Sequence, residues 1–302
     1  MALITVMSAK GAPGTTTTAM LLASLWPRPS LLVDADPLGG DVALRLPSAD
    51  GRALDRERGL LSLLPSARRG LLPEMVQQHA QTALGGQEVV AGLAGPEQSA
   101  AVTPLWPALA DAFAQVPDRD VLVDAGQVHQ RSPHLPLIER SDVVLWVYRP
   151  TAWSAMHTRR RLEGLAGMLA DSPARTGIVG VATQSQEADV LAAAQGIVGD
   201  WEWPRVFGAV AFDPRAVVMF EGGQVHRPER TLLARSGHML AEKVFEEVRR
   251  SAFAGEQLAG LDVGETGEFV AEAEPARDEE AARGSGRRGR GRSRSRRGER
   301  TK

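Results

Sequence analysis

The chain has 302 residues, no cysteine and a formal charge of −2, which excludes a disulfide framework, a thiolate metal site and a cysteine nucleophile. Its length suits one sizeable core with an appendage rather than two equal domains. Aromatics are only 5% of the residues against 43% for all hydrophobics, a balance that fits buried helices and strands of an α/β protein better than an all-β one.

In chain order, the first apolar run, Ala2 to Met7, is followed by Lys10 and two glycines, so it reads as a strand rather than a signal peptide or membrane anchor. No other stretch reaches the roughly 18 uninterrupted apolar residues of a spanning helix, and a cytoplasmic protein is expected. Further strands are predicted at Ser30 to Asp34, Gln87 to Leu93, Asp120 to Asp124, Asp142 to Tyr148, Gly177 to Thr183 and Arg205 to Phe212. Helices are predicted between them at Thr15 to Leu25, Thr103 to Val116, Ala152 to Ala170 and Glu187 to Val198, and a last one at Thr231 to Phe253 carries apolar residues at helical spacing. Strand and helix alternate, and runs such as "VVLWVY" are apolar throughout. The predicted fold is therefore α/β: an open, mostly parallel sheet with helices on both faces.

This body, residues 1–253, is expected to be one domain. Beyond it the charge segregates: Gly255 to Ala282 holds nine acids against one arginine, and Arg283 to Lys302 ten bases against one glutamate. Such composition cannot bury enough apolar surface to offset chain entropy, so an acidic disordered linker (254–282) and a basic Arg/Gly/Ser-rich tail (283–302) are expected. The basic tail would bind phosphate backbones or anionic lipid in a salt-sensitive way, or fold back on the acidic stretch as a solubility tail.

The segment "SAKGAPGTTTTAM" joins the first strand to the first helix. A phosphate-binding loop uses backbone N–H groups, the positive end of a helix, a lysine and a magnesium-binding hydroxyl, in the pattern G-x-x-x-x-G-K-[ST]. Here Ala9 stands for the first glycine, Thr15 for the lysine, and Pro13 has no N–H to donate. Lys10, Gly11, Gly14 and Thr16 fit, although glycine and threonine would also make a plain strand-to-helix turn with a threonine cap. Asp36 in "LLVDADPLGGDVALRL" follows the strand predicted to end at Asp34, and Asp124 in "DRDVLVDAG" ends its own predicted strand. Elsewhere, His129 and His134 read as surface-loop histidines rather than metal ligands, and Arg159, Arg160 and Arg161 as a solvated helix face.

With a lysine early in the loop, "KGAPGTTT" resembles the variant phosphate loop of the ParA/MinD family of P-loop ATPases, and the order of parts over residues 1–250 agrees. The resemblance implies ATP and magnesium as cofactors. It implies phosphate contacts at Gly11, Ala12, Gly14, Thr15, Thr16 and Thr17, with Lys10 reaching the phosphates of a partner subunit in a homodimer. By the same resemblance Thr16, Asp36 and Asp124 serve magnesium, Asp36 organises the attacking water, and Asp213 and Pro214 in "GAVAFDPRAVVMFEGGQ" pack on the adenine. Two departures stand out: Gly126 replaces the family's proline after Asp124, and Thr183 and Gln184 replace its base-recognising asparagine.

"GGDVALRL" is similar to the pilus-associated TadZ/CpaE branch. That implies a positioning factor for a pilus or secretion apparatus, with protein partners in a membrane-associated assembly and a location in the cytoplasm or peripherally at membrane or nucleoid. Thr15 removes a cation from the terminal phosphates, so weak or absent ATP hydrolysis is expected. A DNA-carrying partition ATPase and a non-enzymatic scaffold without nucleotide are the competing expectations.

Overall fold

In a computed structural model, which describes residues 1–10, 14–172 and 174–261, the chain forms eight strands. They are β1 (Leu3–Ser8), β2 (Ser30–Asp34), β3 (Gln81–Thr82), β4 (Glu88–Val90), β5 (Asp120–Gln127), β6 (Val143–Tyr148), β7 (Arg175–Ala182) and β8 (Arg205–Ala211). The first helices are α1 (Thr15–Leu25), α2 (Val42–Arg45), α3 (Leu60–Ala67), α4 (Pro73–Gln78), α5 (Ser99–Val102) and α6 (Trp106–Phe113). After them come α7 (Leu135–Arg140), α8 (Ala152–Asp171), α9 (Glu187–Val198), α10 (Pro214–Val217) and α11 (Leu232–Leu261). Met1–Ala259 make one unit and Gly260–Lys302 a second, of which only the helical residues Gly260 and Leu261 are described.

The sheet runs β3-β4-β2-β5-β1-β6-β7-β8, parallel except where β3 pairs antiparallel with β4. The central strands are apolar throughout because both faces are covered. On β6, Trp146 and Tyr148 face the side packed by α6, α8 and α9, while Val143, Leu145 and Val147 face the side packed by α1 and α11. Each fully buried aliphatic side chain contributes about 1.5–3 kcal/mol, which fixes the register of β1, β5 and β6 and hence the places where these strands end.

At the opposite end of the sheet, Asp120 holds the starts of the strands together. It accepts hydrogen bonds from the Ala2 N–H and Trp26 Nε1, both at 2.8 Å, and pairs with the Arg28 guanidinium at 2.7 Å.

The observed elements differ from expectation in four places. The helix predicted from Thr103 begins at Ser99 and is broken by 3₁₀ geometry around Pro104 before α6. The short elements α2, α3, α4, α7, α10 and β3 have too few residues to show a period. Gln87 to Leu93 is ladder-paired only over Glu88–Val90. Finally, α11 continues past Phe253 to Leu261, so Gly255 to Leu261, expected in the disordered linker, is helical. The rest of the acidic linker and the basic tail lie outside the described residues.

Candidate functional site

The parallel strands β2, β5, β1 and β6 end side by side, which is where ligand crevices form in open α/β sheets. Asp34 pairs in register with Asp124 across β2 and β5, and Val6 of β1 pairs with Asp124 from the other side. Ser8, at the end of β1, pairs with Val147 of β6. Ala9 and Lys10, which follow β1, therefore emerge between the Asp124 strand and the β6 strand.

Two of the predicted metal-binding residues meet here: the Thr16 side chain hydrogen-bonds the Asp124 carboxylate. Asp36 joins them at closer range than sequence spacing suggests. A methyl group on Gly126, two residues after Asp124, would overlap the Asp36 carboxylate. Gly126 also sits at φ 59°, in the left-handed region that glycine favours. The proline expected at this position cannot adopt that backbone, so the departure at Gly126 has a local cause: it lets Asp36 approach β5.

Asp34, which no role was expected for, is fully buried. Its Oδ2 accepts the Val42 N–H at 2.9 Å, and methyl groups on Gly40 or Gly92 would collide with its carboxylate. Burial, and next the charge of Asp124, push its pKa well above the usual carboxylate range. Burial likewise pushes Asp124 up to about 6, against the hydrogen bonds from Thr16 and the Gly126 N–H. Asp36 is raised by burial too, although the Leu38 N–H donates to its Oδ1 at 2.8 Å. No lysine or arginine pairs with any of the three among the described residues.

Crowded carboxylates without a counter-cation suit a divalent ion. Among the described residues no three His, Cys, Asp or Glu side chains converge as a ready cage. Magnesium commonly takes only one or two protein ligands and fills its sphere with water and phosphate oxygens, and Thr16 and Asp124 are the residues here that could supply them.

Of the loop itself, Lys10 is exposed, and Gly11, Ala12 and Pro13 lie outside the described residues. Gly14 is the N-cap of α1 at φ 121° and carries no side-chain cap. The threonine-cap alternative is thereby corrected, because Thr18 Oγ1 instead donates back to the Gly14 carbonyl at 2.8 Å. Thr15 is buried, and Thr17 Oγ1 accepts from Arg45 Nη1 at 3.0 Å.

A cavity of about 240 Å³ opens beside Gly14 and Thr17 and is walled by Val181, Phe212, Asp213 and Pro214. The predicted base-side residues thus share a cavity with the loop. Asp213 caps α10, its Oδ1 accepting the Ala216 N–H at 3.1 Å.

No family model and no curated protein sequence matches the chain, whereas solved structures match it over most of their length. A ParA family ATPase from Chlorobium tepidum superposes with TM-score 0.63 at 14% identity, over 80% of this chain and 97% of that one. The cell division ATPase MinD of Pyrococcus furiosus gives 0.61 at 19%, over 80% and 98%. The septum site-determining protein MinD of Pyrococcus horikoshii, solved with Mg-ADP, gives 0.57 at 18%, over 81% and 96%. The chain has the fold of these ATPases.

Two expectations from sequence are corrected nearby. His134 is not a surface histidine: it is 0% exposed, and its Nε2 lies 2.9 Å from the Ala125 carbonyl, next to Asp124. Burial lowers its pKa to about 4, so it is neutral and donates from Nε2, buttressing the end of β5. The cause is α7, which folds the "SPHLP" segment back onto the core. Nor are the α8 arginines a purely solvated face. Arg159 lies 4.7 Å from the Trp201 ring centroid and pairs with Glu163, and Arg161 donates to Gln130 Oε1 at 3.1 Å. Exposed His129 and Arg160 agree with expectation.

Proposed function

We propose that this chain is a nucleotide-linked spatial-positioning factor that binds a magnesium-complexed nucleoside triphosphate and hydrolyses it weakly or not at all. One observation carries the reading: the Thr16 hydroxyl, Asp124 and Asp36 gather at the strand ends beside the glycine turn, with crowded carboxylates that lack a cation. Thr16 and Asp124 would hold the ion, and Asp36 would orient water near the terminal phosphate. The ion would neutralise phosphate charge. Lys10, exposed at the loop, is free to reach phosphates within the same subunit or across a dimer.

Hydrolysis depends on positioning and on stabilising transferred charge. With Thr15 at the lysine position, nucleotide serves as a switch for dimerisation rather than as fuel. The neighbours whose fold this chain shares include a cell division ATPase and a septum site-determining protein, which supports a role in placing other components. The "GDVA" stretch favours the TadZ/CpaE type and hence a pilus or secretion apparatus as cargo. The ten basic residues after Ala282 would add a salt-sensitive contact with nucleic acid or anionic membrane. Among the described residues no helix is long and apolar enough to cross a membrane.

The test is calorimetric titration of the full chain with ATP, with and without magnesium, using Lys10→Ala as comparison. Magnesium-dependent binding is expected, weakened roughly 10- to 100-fold in the variant, in line with about 1.5–3 kcal/mol for a hydrogen bond to a charged group. Absence of binding at millimolar ATP removes this reading and leaves the non-enzymatic scaffold. ATP-dependent retention on DNA together with steady turnover would favour the partition ATPase instead.

A further inference from the structure

Beside the loop, β6 ends close to a cation that sequence reasoning did not single out. Ser8 pairs with Val147, so Arg149 follows two residues beyond the end of the β1 ladder with β6. Its side chain lines the same cavity as Gly14 and Thr17. The guanidinium is fixed on two sides: it lies 4.4 Å from the Phe212 ring centroid, and its Nη1 donates to the Val181 carbonyl at 3.1 Å.

Among the described residues no carboxylate pairs with it. Asp213, the acidic residue of this cavity, accepts the Ala216 N–H through Oδ1 and forms no ion pair with Arg149. A guanidinium carries five N–H donors and no acceptor, and the Val181 carbonyl takes one of them. A half-buried cation, pre-oriented by an aromatic face and a carbonyl and lacking a counter-ion, is complementary to an anion, and arginine meets phosphate with two parallel hydrogen bonds.

We propose that Arg149 is a phosphate-binding residue of the nucleotide site, supplying from β6 the positive charge that Thr15 leaves out of the loop. The ligand class is the nucleoside 5′-phosphates, and the proposal rests on the nucleotide reading given above. Arg149 also accounts for a nucleotide site persisting without the loop lysine, because β6 is the immediate neighbour of β1 in the sheet.

The experiment titrates ATP, AMP and adenosine into the full chain at two salt concentrations, using wild type, Arg149→Gln and Arg149→Lys. Thermal midpoints check that each variant is folded. Arg149→Gln is expected to weaken ATP and AMP roughly 10- to 100-fold, the range of a charge-assisted hydrogen bond at about tenfold per 1.4 kcal/mol. Adenosine binding should not change, and the salt dependence of ATP binding should flatten. Arg149→Lys should fall between, since an ammonium cannot hold the Val181 carbonyl and a phosphate in one plane, and it decides the matter should the glutamine variant not fold.

Equal ATP affinity in wild type and Arg149→Gln would overturn this proposal while leaving the site a nucleotide site. Equal losses for ATP and adenosine would also overturn it, assigning the guanidinium to the base. No ATP binding by the wild type would overturn this proposal and the nucleotide reading together.

Discussion

Asp124→Asn will make the ligand-free protein more stable at pH 7 while destroying its magnesium dependence. Asp124 is 1% exposed and its carboxyl is pushed up to about 6 by burial, against about 3.9 in an unfolded chain. An acid with a raised pKa in the folded state binds more protons there than when unfolded, so stability falls as pH rises between the two values. At about 1.4 kcal/mol per unit, a shift of about two units costs the protein roughly 3 kcal/mol once the pH is above 6. Asparagine keeps an oxygen for Thr16 and the Gly126 N–H without the charge.

The expected gain at pH 7 is about 2 kcal/mol, read by urea denaturation, with the difference disappearing below about pH 4, where wild-type Asp124 is protonated in both states. Asp34, raised partly by the charge of Asp124, should also titrate lower in the variant. Added magnesium nucleotide should reverse the order, stabilising wild type through binding. It should bind the variant about 10- to 100-fold more weakly, the usual cost of losing a group that orients a metal's ligands. A wild-type stability flat between pH 4 and 6, or a variant less stable than wild type at pH 7, would contradict the charge accounting. If the cluster holds the cation proposed above, the destabilisation is the local cost of leaving its carboxylates without a protein counter-charge, a compromise between stability and function.

What was legible in the sequence follows from which forces are local. Strands buried on both faces must be apolar along their length, so β1, β2, β5 and β6 were visible as runs, and the aspartates closing two of the apolar runs, Asp34 after β2's and Asp124 after β5's, were visible with them. The loop could be read because its chemistry lies within eight residues, Ala9 to Thr16.

Arg149 could not be read. Its importance depends on β6 lying next to β1, and the chain reaches that position only after crossing over from β5, on the other side of β1. His134 was misjudged for a related reason: its polar neighbours suggest a loop, and only the turn of α7 toward the core buries it. Gly126 shows the converse case, a residue that departs from an expected motif in sequence and is explained by Asp36, a side chain from the loop that follows β2.

That residue gives the sharpest test of the site's geometry: Gly126→Val is expected to cost about 3–4 kcal/mol. Placing a non-glycine residue in the left-handed region costs about 1–2 kcal/mol, with β-branching at the upper end. The added side chain must also displace the Asp36 carboxylate, an overpacking cost of typically about 1–3 kcal/mol. For a folded unit of this size the sum lowers the melting midpoint by roughly 10 °C.

The two contributions can be separated, because only the second involves Asp36. In Gly126→Ala, adding Asp36→Ala should return about 1–2 kcal/mol, whereas Asp36→Ala alone should change little, and this difference is the coupling energy of a double-mutant cycle. If Asp36→Ala restores nothing, the cost lies in the backbone alone and Asp36 does not press on β5 in solution. If it restores the expected part, then Gly126 is the residue that admits Asp36 to the Thr16 and Asp124 cluster. Magnesium-dependent nucleotide binding should in that case be lost in Gly126→Ala at temperatures where the variant is still folded, since its carboxylate is pushed out of the site.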